Sequence, residues 1–457
     1  MIERIITIFG STGNLMYKKL FPALDALIKK KCIDQKTKIF CIARKDCTLV
    51  DYVEDAKKGV KENLDWDSII PFLTYIKMDV FDIDDYHMLK NRINRENKHA
   101  DVMFYLAVPP VLFKPIAVGL SQSGIMKKND EHRRILFEKP FGSNFKDAND
   151  INQTLQKLFV ENQIYRIDHY LGKEMLQNIF IMRFSNSMFK NNWRKDYIKS
   201  ITILVKEEET VMTRGSYYDH VGALKDMIQS HLLQMVALTT MAYPKKNQSQ
   251  AIKDEKVNIL KKIEIDESSI LFGQYEGYLN ESGIDQLSKT ETFVFLKAYI
   301  NDEKWQGVPI YLLTGKKLNE KRSEIIVEFE SKEDIQIGWR YENVINNQLI
   351  IKIAPEEGVT LKVNVKSPGL ENHIHLSELT YCHACQTTGG TPEAYEKLLL
   401  DFMHKDNTLY TRWDEIVASW QVISKLKDKP KKLVIYKSFE TLKKIILTKE
   451  KDIIKDI

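Results

Sequence analysis

The chain has 457 residues, 43% of them hydrophobic and 29% charged, with 68 Lys and Arg against 63 Asp and Glu for a net charge of +5. At about 150 residues per domain this length suggests two or three domains, and the composition excludes a disordered, collagenous or coiled-coil protein. No apolar run reaches the ~18 residues of a membrane span, and the early acid near the N-terminus does not read as a signal peptide, so no membrane association is expected.

Along the first third, short apolar runs alternate with helix-like segments, as in successive βαβ units of a parallel sheet. Strands are predicted at residues 5–9, 38–43, 75–78, 102–107 and 134–137, with a helix over 15–28. This is a Rossmann-type pattern. After about residue 170 the pattern changes to long strand-like runs at 198–205, 292–300, 325–329, 349–353 and 359–365, with helices over 222–240 and 392–402. The expected fold class is therefore α/β plus α+β. A dinucleotide-binding domain over 1–168 precedes a large, mainly antiparallel α+β domain over 169–457. The lysine-rich stretch from Lys425 onward carries the excess positive charge and reads as a solvated tail, not a nucleic-acid footprint. Five cysteines, Cys32, Cys41, Cys47, Cys382 and Cys385, argue against a disulfide framework and for a reducing, cytoplasmic location.

Gly10-Ser-Thr12-Gly13 follows the first strand and opens a helix. Such a turn brings backbone N–H groups to a pyrophosphate, although a GxxGxxM pattern is also compatible with a purely structural turn. The second strand ends in Ala43-Arg44-Lys45, without the acid of an NAD site. Arg44 would suit the 2′-phosphate of NADP, and a surface basic pair is the plain alternative. Residues 165–173 gather Asp168, His169 and Lys173; on a helix, His169 and Lys173 would share a face and reach one anion. His231 lies on an amphipathic helix, either as a core histidine or as a general base, with Asp226 five residues away and poorly spaced to orient it. The Thr314-Gly-Lys316 to Lys321 segment lacks the glycine and hydroxyl of a P-loop, since Ile310 and Lys317 stand there, but its lysines can serve a phosphorylated substrate. His373, His375, Cys382 and Cys385 admit a zinc reading; a plain strand with its loop is preferred and no metal is expected.

Taken together, the segment Arg166-Ile-Asp-His-Tyr-Leu-Gly-Lys-Glu174, Glu138-Lys-Pro-Phe-Gly142, Trp305-Gln-Gly-Val-Pro309 and Pro392-Glu-Ala-Tyr-Glu-Lys resemble the glucose-6-phosphate dehydrogenase family, with similarity from Ile5 to about Phe439. The resemblance implies oxidation of D-glucose 6-phosphate at C1 to 6-phospho-D-glucono-1,5-lactone, the entry to the pentose phosphate pathway, with hydride transfer to NADP, or to NAD. It implies His231 as general base paired with Asp168. His169, Tyr170, Lys173 and Lys321 would hold the phosphate, and Lys139, Glu207, Asp226 and Lys316 would fix the sugar or its approach to the cofactor. Gly10, Thr12, Gly13, Lys19, Arg44 and Lys139 would be cofactor positions, and Pro140 a cis proline beside the site. The implied partner is a small sugar phosphate, with no nucleic acid and no membrane, in a homodimer or dimer of dimers, and the resemblance assigns substrate binding and oligomerisation to the domain over 169–457. Asn14, Met16, Ser216 and Leu313 depart from the family pattern. Another NAD(P)-dependent sugar oxidoreductase, or an impaired nucleotide- or zinc-binding regulator, is the alternative.

Overall fold

The computed structural model describes residues 2–245, 249–330, 344–370, 373–386, 391–426, 432–454 and 457. Its chain forms two compact units, Met1–Gly172 with Pro392–Trp413 and Lys173–Thr391 with Asp414–Ile457. Residues 392–413, expected in the second domain, thus return to the first. Among the described residues no helix is long and apolar enough to cross a membrane.

The first unit is built on six parallel strands: β1 (Arg4–Phe9), β2 (Thr37–Ala43), β3 (Leu73–Lys77), β4 (Asp101–Leu106), β5 (Arg133–Phe137) and β6 (Ile164–Arg166). Their spatial order is β3-β2-β1-β4-β5-β6. Five of these match the expected strands. The three-residue β6 gives too short a run to show as a pattern. Successive side chains of a strand face opposite ways, and both faces here are covered. Ile6 and Ile8 join one apolar cluster with Leu20, Leu24, Leu27 and Met103, while Ile5 and Phe9 join a second with Val102, Phe104 and Ile116. Two-sided burial is what makes such strands read as continuous apolar runs. At about 1.5–3 kcal/mol per fully buried aliphatic side chain, these faces dominate the unit's stability. The order reverses between β1 and β4, and in doubly wound sheets ligands bind at the strand carboxyl ends beside that reversal.

The returning segment completes the first cluster. Leu398, Leu399, Phe402 and Tyr410 are buried in it, and the Tyr165 ring lies 4.9 Å from Phe402 and 4.8 Å from Tyr410. Arg134 donates to the carbonyls of Phe402 (2.7 Å) and Met403 (2.9 Å), satisfying the carboxyl end of the helix Ala394–Met403.

The second unit carries a nine-stranded sheet. Its members are β7 (Ile198–Lys206), β8 (Ile263–Tyr275), β9 (Phe293–Ile300), β10 (Ile310–Gly315), β11 (Arg322–Phe329), β12 (Gln348–Ala354), β13 (Gly358–Lys366), β14 (Ile374–Cys382) and β15 (Leu433–Tyr436). The order is β14-β13-β12-β11-β7-β10-β9-β8-β15, and every pairing is antiparallel except β7 with β10 and β8 with β15. The lysine-rich tail is not simply solvated. Residues 433–436 extend the sheet, and Phe439, Leu442, Ile446, Ile453 and Ile454 are buried in a cluster with Phe293, Phe295, Tyr311 and Leu313. The lysines of the helix Phe439–Lys449 alternate with that apolar stripe, so composition reveals the charge and not the stripe. Residues 427–431 and 455–456 of the tail lie outside the described residues.

Candidate active site

In the first unit the glycine turn sits at the sheet's reversal. Gly10 has φ +81°, and a Cβ there would lie 2.4 Å from the Ala107 carbonyl oxygen, so no side chain fits. The N–H groups of Gly10 and Ser11 both donate to the Ile42 carbonyl at 3.0 Å, which ties the turn to β2. The Tyr52 hydroxyl donates to the Ser11 carbonyl (3.0 Å) and fixes it from outside. Thr12 and Lys19 are exposed, with Lys19 3.5 Å from Glu393. Arg44, just past the end of β2, is exposed; its neighbour Lys45 is paired with Asp55 and Asp46 with Lys77. The helix opening here is π-wound over Met16–Leu20 before continuing as Phe21–Lys29. Met16, at the position where the fingerprint asks for a small residue, is fully buried in the apolar cluster, so the departure is absorbed by packing. Leu313 is likewise buried in the second unit's cluster, whereas Asn14 and Ser216 are exposed.

The cradle closed by Gly10, the exposed Thr12 and the exposed cation at Arg44 fit a dinucleotide: backbone can approach a pyrophosphate, and a guanidinium suits an anionic group.

The Lys139–Pro140 bond is cis. Before it, Glu138 is buried and accepts from the Tyr105 hydroxyl and from the Lys139 N–H (3.2 Å). Tyr395 also hydrogen-bonds to it. Burial pushes its carboxyl up to about 7 in spite of these donors. Glu138 belongs to the Glu-Lys-Pro block, which by itself gives this side chain no role. Its neighbourhood combines β4, β5 and the returning segment, which no local pattern reveals.

Asp168 is buried and closes its own turn, accepting from the Tyr170 N–H at 2.9 Å, while its carbonyl accepts from Leu171 N–H at 3.1 Å. The conditional helix over 165–173 is not found. Residues 169–172 form turns and the helix Glu174–Ser185 begins after Lys173, so His169 and Lys173 do not share a helical face. The His169 and Tyr170 rings lie 4.8 Å apart. Gly172 is required by close approach, since a Cβ would lie 2.9 Å from the Ala394 carbonyl oxygen and 3.0 Å from Leu398.

In the second unit, Asp226 and His231 lie on one π-wound stretch, Leu224–Leu232, between the helical segments Gly215–Ala223 and Leu233–Thr240. Both are buried, His231 to 1% exposure. In an α-helix residues five apart point about 140° apart, and the wider i to i+5 winding of a π turn brings them nearer to one face. The spacing of Asp226 and His231 is thus closer than α periodicity predicts. Gly222, with φ +69°, kinks the chain just before this stretch. The buried Glu291 then caps it, accepting from the Leu224 N–H at 3.1 Å while its carbonyl accepts from Ala223 N–H at 3.0 Å. Glu291 is a supporting residue that sequence reasoning missed, because its place just before β9 gives no hint of the helix it serves.

β10 packs against the π-wound stretch. Beyond its end, Lys316 pairs with Glu207 at 2.6 Å, the two residues following the parallel strands β10 and β7. The Lys316 N–H donates to the Thr292 carbonyl (2.9 Å) and the Tyr436 hydroxyl donates to the Lys316 carbonyl (2.6 Å), so its backbone is held from two sides. Lys321 is placed otherwise. It is exposed and lines a cavity of about 340 Å³ with Arg322, Lys352, Lys362, Glu320 and Glu378. The zinc alternative meets an obstacle: Cys382 and Cys385 are joined to each other as a disulfide, and while bridged neither of the two offers a thiolate ligand. His373 precedes β14 and His375 lies on it, in keeping with a plain strand.

Two family models match the chain: the glucose-6-phosphate dehydrogenase NAD binding domain over residues 7–178 and the C-terminal domain over 180–443. The chain belongs to the glucose-6-phosphate dehydrogenase family. It is 36% identical over 451 residues to glucose-6-phosphate 1-dehydrogenase of Bacillus subtilis, covering 93% of this chain and 91% of that protein. It is 38% identical over 443 residues to the enzyme of the same name from Borreliella burgdorferi, with 93% and 91% covered. Among solved structures, a glucose-6-phosphate dehydrogenase in complex with its substrate glucose 6-phosphate superposes with a TM-score of 0.88 at 34% identity, over 95% of this chain and 94% of that one. The glucose-6-phosphate 1-dehydrogenase of Mycobacterium avium follows with a TM-score of 0.85 at 30% identity, over 95% and 93%. The family's NAD binding domain is the unit that carries the glycine turn, and a nicotinamide dinucleotide is its cofactor.

Proposed function

We propose that this chain oxidises D-glucose 6-phosphate at C1 to 6-phospho-D-glucono-1,5-lactone, with NADP preferred over NAD. What supports the reading is an unbroken Arg166–Glu174 signature in a chain related to such enzymes over nearly its whole length, together with a buried imidazole at position 231. When bound, the nicotinamide ring supplies the hydride acceptor. Gly10, Thr12, Gly13, Lys19 and Arg44 are the residues proposed to hold the dinucleotide, Arg44 by pairing with a 2′-phosphate.

His231, neutral, accepts the proton of the C1 hydroxyl, and the Asp168 carboxylate stabilises the imidazolium that forms. His169, Tyr170, Lys173 and Lys321 bind the phosphate. A dianion far from C1 supplies binding energy that orients the reacting carbon. Glu207, Asp226, Lys316 and Lys139 fix the hydroxyls and the approach to the cofactor.

The test is initial-rate assay of nucleotide reduction with glucose 6-phosphate and glucose, each with NADP and NAD. His231→Asn should lower kcat by about 10²–10⁴-fold, the range of general-base help, with an unchanged circular dichroism spectrum. Turnover like the wild type in that variant would remove His231 as the base.

A further inference from the structure

We propose that Cys382 and Cys385 form a thiol–disulfide exchange site for a dithiol reductant, and that its state is relayed through His383 to Glu174, the first residue of the helix that follows Lys173. The two cysteines are three apart in sequence and bonded to each other. A bridge closing so short a loop removes little chain entropy, so it is a poor staple. Cys-X-X-Cys is instead the spacing of dithiols that cycle between oxidised and reduced forms.

The two sulfurs are not equivalent. Cys382 is the last residue of β14, paired with Gly358 in the sheet, and the next residue is tied down by the His383 N–H donating to the Glu357 carbonyl at 2.9 Å. Cys385 is exposed, in the single turn Ala384–Gln386 beyond the strand. Its N–H donates to Cys382 Sγ at 3.2 Å. That donor stabilises negative charge on Cys382, which makes Cys382 the better leaving group and Cys385 the accessible target. Exchange then runs as follows. A reductant thiolate attacks Cys385 Sγ, the Sγ–Sγ bond breaks, and its electron pair leaves on Cys382 as a thiolate. The reductant's second thiolate attacks its own sulfur in the mixed disulfide, releasing Cys385. Protonation of both sulfurs completes a two-electron, two-proton reduction, with the dithiol oxidised to its disulfide.

His383 sits between the cysteines and couples them to a distant part of the chain. Its Nδ1 lies 3.2 Å from the Tyr381 hydroxyl and its Nε2 3.3 Å from Glu174 Oε2. A neutral ring with the proton on Nε2 serves both contacts, donating to the carboxylate and accepting from the phenol. Opening the bridge removes the covalent tie between the 384–386 turn and β14, and because the Gln386 N–H donates to the His383 carbonyl (3.1 Å) the loosening of that turn is passed to the residue that anchors the start of the helix.

The test uses the full oxidised chain and does not depend on its dehydrogenase activity. Brief exposure to glutathione, acid quench, alkylation and peptide mapping should place the glutathione adduct on Cys385; an adduct on Cys382 overturns the assigned direction. The free thiols Cys32, Cys41 and Cys47 serve as internal references. A bridge that dithiothreitol opens only in the unfolded protein overturns the site. Reduction should speed amide hydrogen exchange across the first turn of the helix Glu174–Ser185 by about threefold or more. That difference should vanish in His383→Ala, which has lost the link in both states. Equal exchange in oxidised and reduced wild type overturns the relay.

Discussion

At the scale of single residues, Glu138 and Arg44 carry the sharpest expectations. The Glu138 carboxyl stands at about 7 against an ordinary 4.5 because it is buried. Between those two values the unfolded chain has released this proton while the folded chain keeps it, so the group's contribution to stability falls as pH rises and levels off above 7. At about 1.4 kcal/mol for each tenfold change in proton affinity, the span is on the order of 3 kcal/mol. Urea midpoints measured at pH 5 and pH 8 should therefore converge in Glu138→Gln relative to the wild type; an identical pH slope in both would show that Glu138 ionises normally. Arg44→Ala should raise KM for NADP by about tenfold, the worth of one charge-assisted contact, and leave KM for NAD nearly unchanged. Both side chains are plain in the sequence, but only Arg44 announces itself there, by standing where an acid is expected. Glu138 owes its raised carboxyl to burial by residues far away along the chain, and the hydroxyls of Tyr105 and Tyr395 that donate to it only partly offset that burial.

Among the elements, the stretch that holds His231 departs most from what periodicity predicts. Residues 222–240 read as one amphipathic helix, and the helical character is right, but the register is not. A kink at Gly222 and π winding over Leu224–Leu232 rotate everything that follows. Apolar spacing alone does not separate a π turn from an α turn over nine residues. Gly222→Ala should destabilise the protein by about 1–3 kcal/mol through its left-handed backbone and, because the new Cβ would lie 2.6 Å from Glu291 Oε1, should also lower kcat. Gly277→Ala is the control: it has φ +91° with nothing within 4 Å of its Cβ, so it should cost stability and spare turnover. Equal turnover in the two variants would separate the kink from the chemistry. By contrast, the strands of the first unit are plain in the sequence, since side chains buried on both faces leave uninterrupted runs of Ile, Val and Phe.

Across the whole molecule, chain order and spatial order diverge. The C-terminal residues read as a solvated tail because their lysines outnumber their acids, yet Phe439, Leu442 and Ile446 are buried on the second unit's sheet. Ending the chain after Lys432 removes at least these three, at about 1.5–3 kcal/mol each. That approaches the 5–15 kcal/mol that holds a typical domain together. The truncated protein should show no cooperative thermal transition for the second unit by calorimetry; retention of that transition would mean the tail is dispensable.

The return of residues 392–413 to the first unit governs how the protein is made. A ribosome delivers Tyr165 and Arg134 long before Phe402, Met403 and Tyr410, their partners, have left the exit tunnel. The nucleotide half must therefore wait, with part of its apolar face uncovered, while more than two hundred intervening residues are translated. Synthesis of this chain thus has a window in which chaperones, or pauses in translation, decide its yield.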